Sequence, residues 1–316
     1  MPILTRDDLK NIKSYSLKER KSLVTRKEFG SPVPSDATVA AFLQALPKTY
    51  MAKDLLAVAG RIRQCKEQKK NIHFALGSHV IKNGLSPYLQ QLMKEGFITA
   101  LSFNGSALVH DFEIAFIGAT SEDVDSSLGE GKFGLAKETA ESLNRAVVDG
   151  FSSGMGLGKI VGQYIADRCP HAQDSLLAQA FKLGIPATIH IAVGTDITHI
   201  HPSFDPAKTA EASYRDFLLF ASLVSDLEDG IYVNVGSAVI LPEIFLKAIS
   251  LARNLGHKAE NFWAVNLDFI RHYRPRRNVL ERPTAKGGRA IEIVGPHELL
   301  IPLLQAAIAC GENNTL

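Results

Sequence analysis

Residues 71–113 read NIHFALGSHVIKNGLSPYLQQLMKEGFITALSFNGSALVHDFE, and the order of pieces in this stretch decides the fold. Two short apolar runs, NIHFAL and FITALSF, are separated by a helical stretch, GLSPYLQQLMKEG. Each run stops at a small polar turn: Gly77-Ser78-His79 after the first, Asn104-Gly105-Ser106 after the second. Near-continuous apolar strands that alternate with helices predict a parallel sheet covered on both faces. Four further runs continue the pattern: ATIHIAV, IYVNVG, FWAVNL and AIEIVG. The expectation is an α/β, Rossmann-like three-layer α/β/α domain with a mostly parallel sheet of about six strands.

In sheets of this kind ligands bind at the carboxyl ends of the strands. The residues there are Gly77-Ser78, Asn104-Gly105-Ser106, Gly194-Thr195-Asp196, Gly236-Ser237, Asn266-Leu267-Asp268 and Gly295-Pro296-His297. Glycine allows close backbone approach, and amides at a following helix start attract anions. Glycine is also common in any βα turn, so the recurrence over six turns carries more weight than any one of them.

Composition narrows the function classes. Of 316 residues, 46% are hydrophobic and 22% charged, which is globular, and a formal charge of +2 gives no reason to expect nucleic acid. Cys65, Cys169 and Cys310 are too far apart in sequence for a CxxC pair or a small disulfide framework. No run approaches the ~20 apolar residues that span a bilayer, and MPILTRDDLKNIK lacks the order of a signal peptide. The expectation is a soluble, cytoplasmic protein. Residues 1–30 hold eight Lys/Arg against four Asp/Glu with little periodicity. They suggest an arm or linker over 1–35 ahead of a single domain over 36–316.

Several clusters invite chemistry. GMGLG at 154–158 lies between helical stretches, not after a strand, so it fails the context of a dinucleotide fingerprint and reads as a flexible or tightly packed helix break. TIHIAVGTDITHIHP at 188–202 gathers His190, Asp196, His199 and His201; polar ligand contacts are one reading, three metal ligands from Asp196, His199 and His201 another. RHYRPRRNVLERP at 271–283 carries five arginines, among them Arg274 and Arg276, and reads as an anion clamp, a solvated loop or an intersubunit salt-bridge patch. TSEDVDSSLGEGKFG at 120–134 is acidic and glycine-punctuated, a solvated loop or a lure for an amine.

The order LGSHVIKNG, NGSALVHDFEIAFIG, IPATIHIAVGTD, VNVGSAVILPEI and VNLDFIRHYRP, over about residues 72 to 305, resembles the deoxyhypusine synthase family. The resemblance implies NAD as cofactor, a polyamine substrate, and a homotetramer with clefts between paired subunits. It also implies transfer of an aminobutyl group through an imine on an enzyme lysine, to a protein lysine or to another small amine. Carried over by position, the cofactor side comprises Gly77, Ser78, Asn104, Gly105, Ser106, Asp196, Gly236, Ser237 and Asn266. The sequence departs from that pattern where the lysine should stand, at Leu241. It departs again at His201 and His110, which occupy positions where the family holds an amine with carboxylates. An imidazole is a poor partner for an ammonium group. The expectation is a diverged member that binds NAD or a related nucleotide and acts on a small amine or other small molecule. His110, His199 or His201 would be the base, and Asp111, Arg274 and Arg276 the substrate contacts. Alternatives are true aminobutyl transfer, metal-dependent hydrolysis, or ligand binding without turnover.

Overall fold

The computed structural model describes residues 3–311; the outer residues of the expected arm and domain, 1–2 and 312–316, lie outside them. Contacts divide the chain after Lys53. The first unit carries two short helices, α1 (Arg6–Leu9) and α2 (Val39–Ala45). Thr38 caps α2 by accepting from the Ala41 amide at 3.2 Å. The long helix α3 (Tyr50–Glu67) leads into the second unit.

The second unit is built on six strands: β1 (Ile72–Leu76), β2 (Ala100–Asn104), β3 (Ala187–His190), β4 (Ile231–Val235), β5 (Trp263–Asp268) and β6 (Arg289–Val294). All pairings are parallel, in the order β3-β2-β1-β4-β5-β6. The expected Rossmann-like sheet is therefore present, with one strand at each of the six apolar runs. FITALSF contributes its second half, since β2 begins at Ala100.

Between β1 and β2 lie α4 (Ser78–Lys82) and α5 (Ser86–Lys94). Between β2 and β3 the chain makes α6 (Gly105–Ile117), α7 (Val124–Gly129), α8 (Lys137–Gly150), α9 (Leu157–Arg168) and α10 (Leu176–Leu183). The rest are α11 (Pro206–Ser225), α12 (Ile240–Asn254) and α13 (His297–Cys310). Helices α11 and α12 pack together on one face of the sheet; α5, α10 and α13 pack together on the other. Phe220 of α11 and Leu241, Phe245 and Ala248 of α12 meet Ala75, Tyr232 and Ala264 in a buried cluster.

The break at 154–158 has the packing role read from its context. Gly154 is left-handed with φ +73°, and Gly156 caps α9. A Cβ on Gly158 would lie 2.1 Å from the Ala187 carbonyl, so only glycine lets α9 sit this close to β3. Asp216 of α11 locks the same junction, accepting from the amides of Gly158 and Ile189 at 2.7 Å each.

Candidate functional site

The order of strands reverses between β1 and β4, and in open sheets of this kind ligands bind at the carboxyl ends beside such a switch point. Two glycines set its floor. A Cβ on Gly77 would lie 2.1 Å from the Gly236 carbonyl oxygen, and Gly236 itself has φ +65° with the His297 ring against it. Behind them Asn234 donates to the Ser237 carbonyl at 2.9 Å and to the Asn266 side-chain oxygen at 2.8 Å. Ser237 and Asn266 are both buried, so their side chains shape the crevice from below. Three buried acceptor atoms at these strand ends have no hydrogen-bond partner: Asn234 Oδ1, Asp268 Oδ2 and Asp196 Oδ2. Buried acceptors of this kind mark places where a ligand or water can donate.

Beside the crevice, past β2 and β3, lies a cavity of about 260 Å³. Its polar wall is Lys82, Ser106, His110, Glu113, Glu122 and Asp196; Val109, Val124, Phe133 and Ile197 form the apolar wall. The turn after β2 explains NGS. Asn104 caps α6 by accepting from the Ala107 amide at 2.9 Å and from the Ser106 hydroxyl at 3.2 Å. Gly105 is needed because a Cβ there would fall 2.0 Å from Asp196 Oδ2. The Asp196 carboxylate therefore rests on the start of α6, where the helix dipole favours a negative charge. Burial works against it and raises the acid to about 6.

His110, one helical turn further along α6, faces the same cavity. Its Nδ1 lies 2.7 Å from the Thr120 hydroxyl. Burial first, then the charges of Lys82 and His79, hold the imidazole down to about 4, so it is neutral at physiological pH. Glu113 accepts from Thr120 and from Thr139. The acidic segment 120–134 folds over the opening, where Glu122 accepts from the Gly134 amide at 2.9 Å. Lys82, Glu113, Thr120 and Thr139 were not singled out by the sequence. Glu113, three residues after His110 on one helix, is the one whose spacing could have revealed it.

Other expected site residues are placed differently. Asp111 is fully buried and its carboxylate is spent on α10: it accepts from the Ser175 hydroxyl at 2.5 Å and from the amides of Leu176 and Leu177 at 2.8 and 3.1 Å. It caps a helix instead of meeting substrate, because its position on α6 turns it inward while His110 turns to the cavity. His199 Nδ1 accepts from the Gly194 and Asp196 amides at 3.1 and 3.3 Å, which leaves Nε2 protonated 3.8 Å from Asp196 Oδ2. That ring braces Asp196 and has no free base. His201 Nδ1 is held by Ser203, whose hydroxyl lies at 2.8 Å. Among the described residues no three His, Cys, Asp or Glu side chains converge as metal ligands, so the set Asp196, His199 and His201 does not assemble.

Arg274 and Arg276 are not an open anion clamp either. Arg274 pairs with Glu243 at 3.3 Å and Arg276 with Glu281 at 2.8 Å, while Arg271 pairs with Glu292 at 2.9 Å. The segment Pro275–Glu281 is π-helical and packs on α12, and these ion pairs lie within the chain. Leu241 is fully buried in the cluster around α12 and does not line the cavity. Lys247 on the same helix is exposed and paired with Glu243. Ser78 is the half-buried first residue of α4.

Comparison with known proteins agrees with the fold. Residues 56–149 match a family profile described as arginine dihydrolase ArgZ-like, C-terminal, Rossmann fold. No curated protein matches the chain. Among solved structures, a conserved candidate LOR/SDH protein from Methanococcus maripaludis S2 is similar with a TM-score of 0.52 at 17% identity, over 84% of this chain and 71% of that one. ArgZ, an arginine dihydrolase from the ornithine-ammonia cycle in cyanobacteria, is similar with a TM-score of 0.51 at 17% identity, over 82% of this chain. A candidate deoxyhypusine synthase from Entamoeba histolytica gives 0.52 at 14% identity, over 88% of this chain and 95% of that one. The chain spans 33% of the ArgZ length. At these identities the likeness is one of fold.

Proposed function

We propose that the chain is a nucleotide-dependent enzyme that oxidises a small amine, with NAD across the carboxyl edge of the sheet and the amine in the cavity beside it. The observation that carries this reading is the cavity itself: Asp196, its acid raised by burial, and a neutral His110 line one space next to the switch point. A structure of AgrE, similar in fold with a TM-score of 0.50, was solved with ornithine and NAD+.

The residues present fit a nucleotide in a particular way. Residues 77–82 read GSHVIK after β1, so the GxGxxG pattern is absent. The crevice instead offers acceptors, Asn234 Oδ1 and Asp268 Oδ2, suited to ribose hydroxyls or a carboxamide. Gly77 and Gly236 leave room for no side chain above them, and the head of α12 offers backbone amides to phosphate. When bound, NAD would supply the acceptor for a hydride from the carbon beside nitrogen.

The chain's own groups would prepare the amine. An ammonium docks against Asp196 and must give up a proton before its nitrogen lone pair can assist loss of the hydride. Asp196, raised to about 6, takes that proton more readily than an ordinary carboxylate. His110 accepts a hydrogen bond and fixes the nitrogen's direction. The apolar wall of Val109, Val124, Phe133 and Ile197 admits an aliphatic chain and excludes water. Aminobutyl transfer through an imine is less well supported, since Leu241 is buried away from the cavity. Val193, Val239, Phe269, Ile270 and Tyr273 are exposed on the same edge, which favours pairing with a second copy across the site.

Calorimetry with NAD+ and crystals soaked in NAD+ test the reading, followed by an amine screen read by formation of reduced nicotinamide. Binding at the carboxyl edge with amine-dependent reduction is expected. Absence of nicotinamide from the crevice at saturating NAD+ refutes it.

A further inference from the structure

We infer that Thr120 and Glu113 form a relay that fixes His110 in one tautomer, with Nδ1 protonated, so that its Nε2 presents a lone pair to a primary amine in the cavity. The argument is one of donors and acceptors. Thr120 Oγ1 lies 2.5 Å from Glu113 Oε2 and 2.7 Å from His110 Nδ1. An ionised carboxylate only accepts, so the single hydroxyl proton goes to Glu113. The Thr120 oxygen must then accept, and the donor it faces is the Nδ1–H of His110. Thr139 holds the far oxygen of Glu113 at 3.1 Å, which keeps the carboxylate from swinging away. Nε2 is left as the acceptor on a ring that is mostly buried, with 16% of its side chain exposed.

The groups around His110 make a neutral acceptor sensible. Burial and the positive charge of Lys82 on α4 keep the ring unprotonated, while Glu113 on its own helix is occupied by two threonines. Glu122 and Asp196 line the opposite side of the cavity. An ammonium group between Asp196 and His110 would donate to a carboxylate on one side and an imidazole on the other, so its N–H bonds are directed as well as its charge balanced. Thr120 and Glu113 act through His110 and are positioning residues. The assignment of an amine rests on the function proposed above; the tautomer does not.

The test separates the two. Protein labelled with 15N-histidine reports the protonation of each ring nitrogen, with His110 assigned by its loss in His110→Gln. At neutral pH the Nδ1–H form is expected in the unmodified chain. Thr120→Val, which keeps the shape and removes the hydroxyl, should move the ring toward a mixture of tautomers, and Thr120→Ser should restore it. An Nε2–H tautomer in the unmodified protein, or no change in Thr120→Val, overturns the relay whatever the enzyme does. Titration with n-butylamine then reads the ligand: the Nε2 resonance should move, and the affinity should fall roughly tenfold or more in Thr120→Val, as expected for loss of a directed bond to a charged group. A correct tautomer whose Nε2 ignores butylamine overturns the amine assignment and leaves the relay in place.

Discussion

Asp216→Asn removes a buried charge while keeping the hydrogen bonds that the side chain accepts. Both amides, Gly158 and Ile189, donate to the same oxygen, Oδ2, and the other oxygen is unpartnered. The amide oxygen of asparagine can take the place of Oδ2, and its NH2 falls where no acceptor is seen. Burial raises the Asp216 acid to about 7 against an ordinary 3.8, even though the two amides pull it down. The native state thus holds a proton that the unfolded chain has released between those values. Stability from this group is present at low pH and is lost as pH rises toward 7. From about pH 5 to pH 7 the loss is about 1.36 kcal/mol per unit, or roughly 2.7 kcal/mol in all. Asp111 and Asp196, both raised to about 6, add the same sign of dependence. They do so in every variant, so the difference between the native chain and Asp216→Asn isolates this one carboxyl. Urea denaturation at several pH values from about 5 to 8 measures it. The native chain should lose stability over that range more steeply than the variant, by roughly 2.7 kcal/mol. Asp216→Ala should instead be less stable at every pH by about 2–6 kcal/mol, because two buried amides lose their acceptor. Equal slopes for the native chain and Asp216→Asn would show that the carboxyl is ionised throughout and that burial does not govern it.

Gly105→Ala places a methyl on the Asp196 carboxylate, 2.0 Å from Oδ2; it should displace that side chain, cost roughly 1–3 kcal/mol in stability, and change any amine-dependent signal, as a crystal structure and thermal melts would show. Lys82→Met removes a cation that lowers the His110 acid, so the midpoint of the His110 titration by NMR should rise; an unchanged midpoint would leave burial and His79 as its causes. Ser102→Ala should cost about 2–5 kcal/mol in a denaturant melt, since the Ser102 hydroxyl bridges His73 Nε2 at 2.8 Å and Thr188 Oγ1 at 2.7 Å in the buried sheet.

What the sequence revealed and what it hid follow from how local each signal is. The six strands were legible because a doubly covered strand is apolar along its length, and ATIHIAV differs from its neighbours even when it carries a histidine. The crevice was legible because glycines mark the strand ends. The reason for each glycine was not: Gly105 answers to Asp196, ninety-one residues away, and Gly77 to Gly236. Histidine next to aspartate in VHDFE looked like one constellation, yet a helix turns adjacent residues about 100° apart, so His110 reaches the cavity and Asp111 reaches α10. The arginines of 271–283 looked available because their partners, Glu243 and Glu292, lie on other elements.

The register sets a row of polar side chains across the sheet, and the chain does not satisfy all of them. One row runs Thr188, Ser102, Ala75, Asn234, Asn266 and Glu292 across all six strands, on the face that α11 and α12 cover. Five of those six side chains are polar at a layer where an apolar side chain would bury without cost. His73 and His190 join the row through Ser102 and Thr188, and burial holds both imidazoles down to about 3, so they are neutral hydrogen-bonding groups and not titrating ones. A row selected for packing alone would close its hydrogen bonds internally, because a buried acceptor without a donor costs about 1–3 kcal/mol. This row leaves Asn234 Oδ1 open, and Asp268 Oδ2 at the end of β5 and Asp196 Oδ2 in the turn after β3 are open as well. His73 Nδ1, the Tyr232 hydroxyl and Glu292 Oε1 are open on the same face, beside the closed pairs Ser102 with Thr188 and Asn234 with Asn266. A buried polar layer that the chain satisfies only in part leaves places for hydrogen bonds to water or a ligand along the strands as well as at their carboxyl ends.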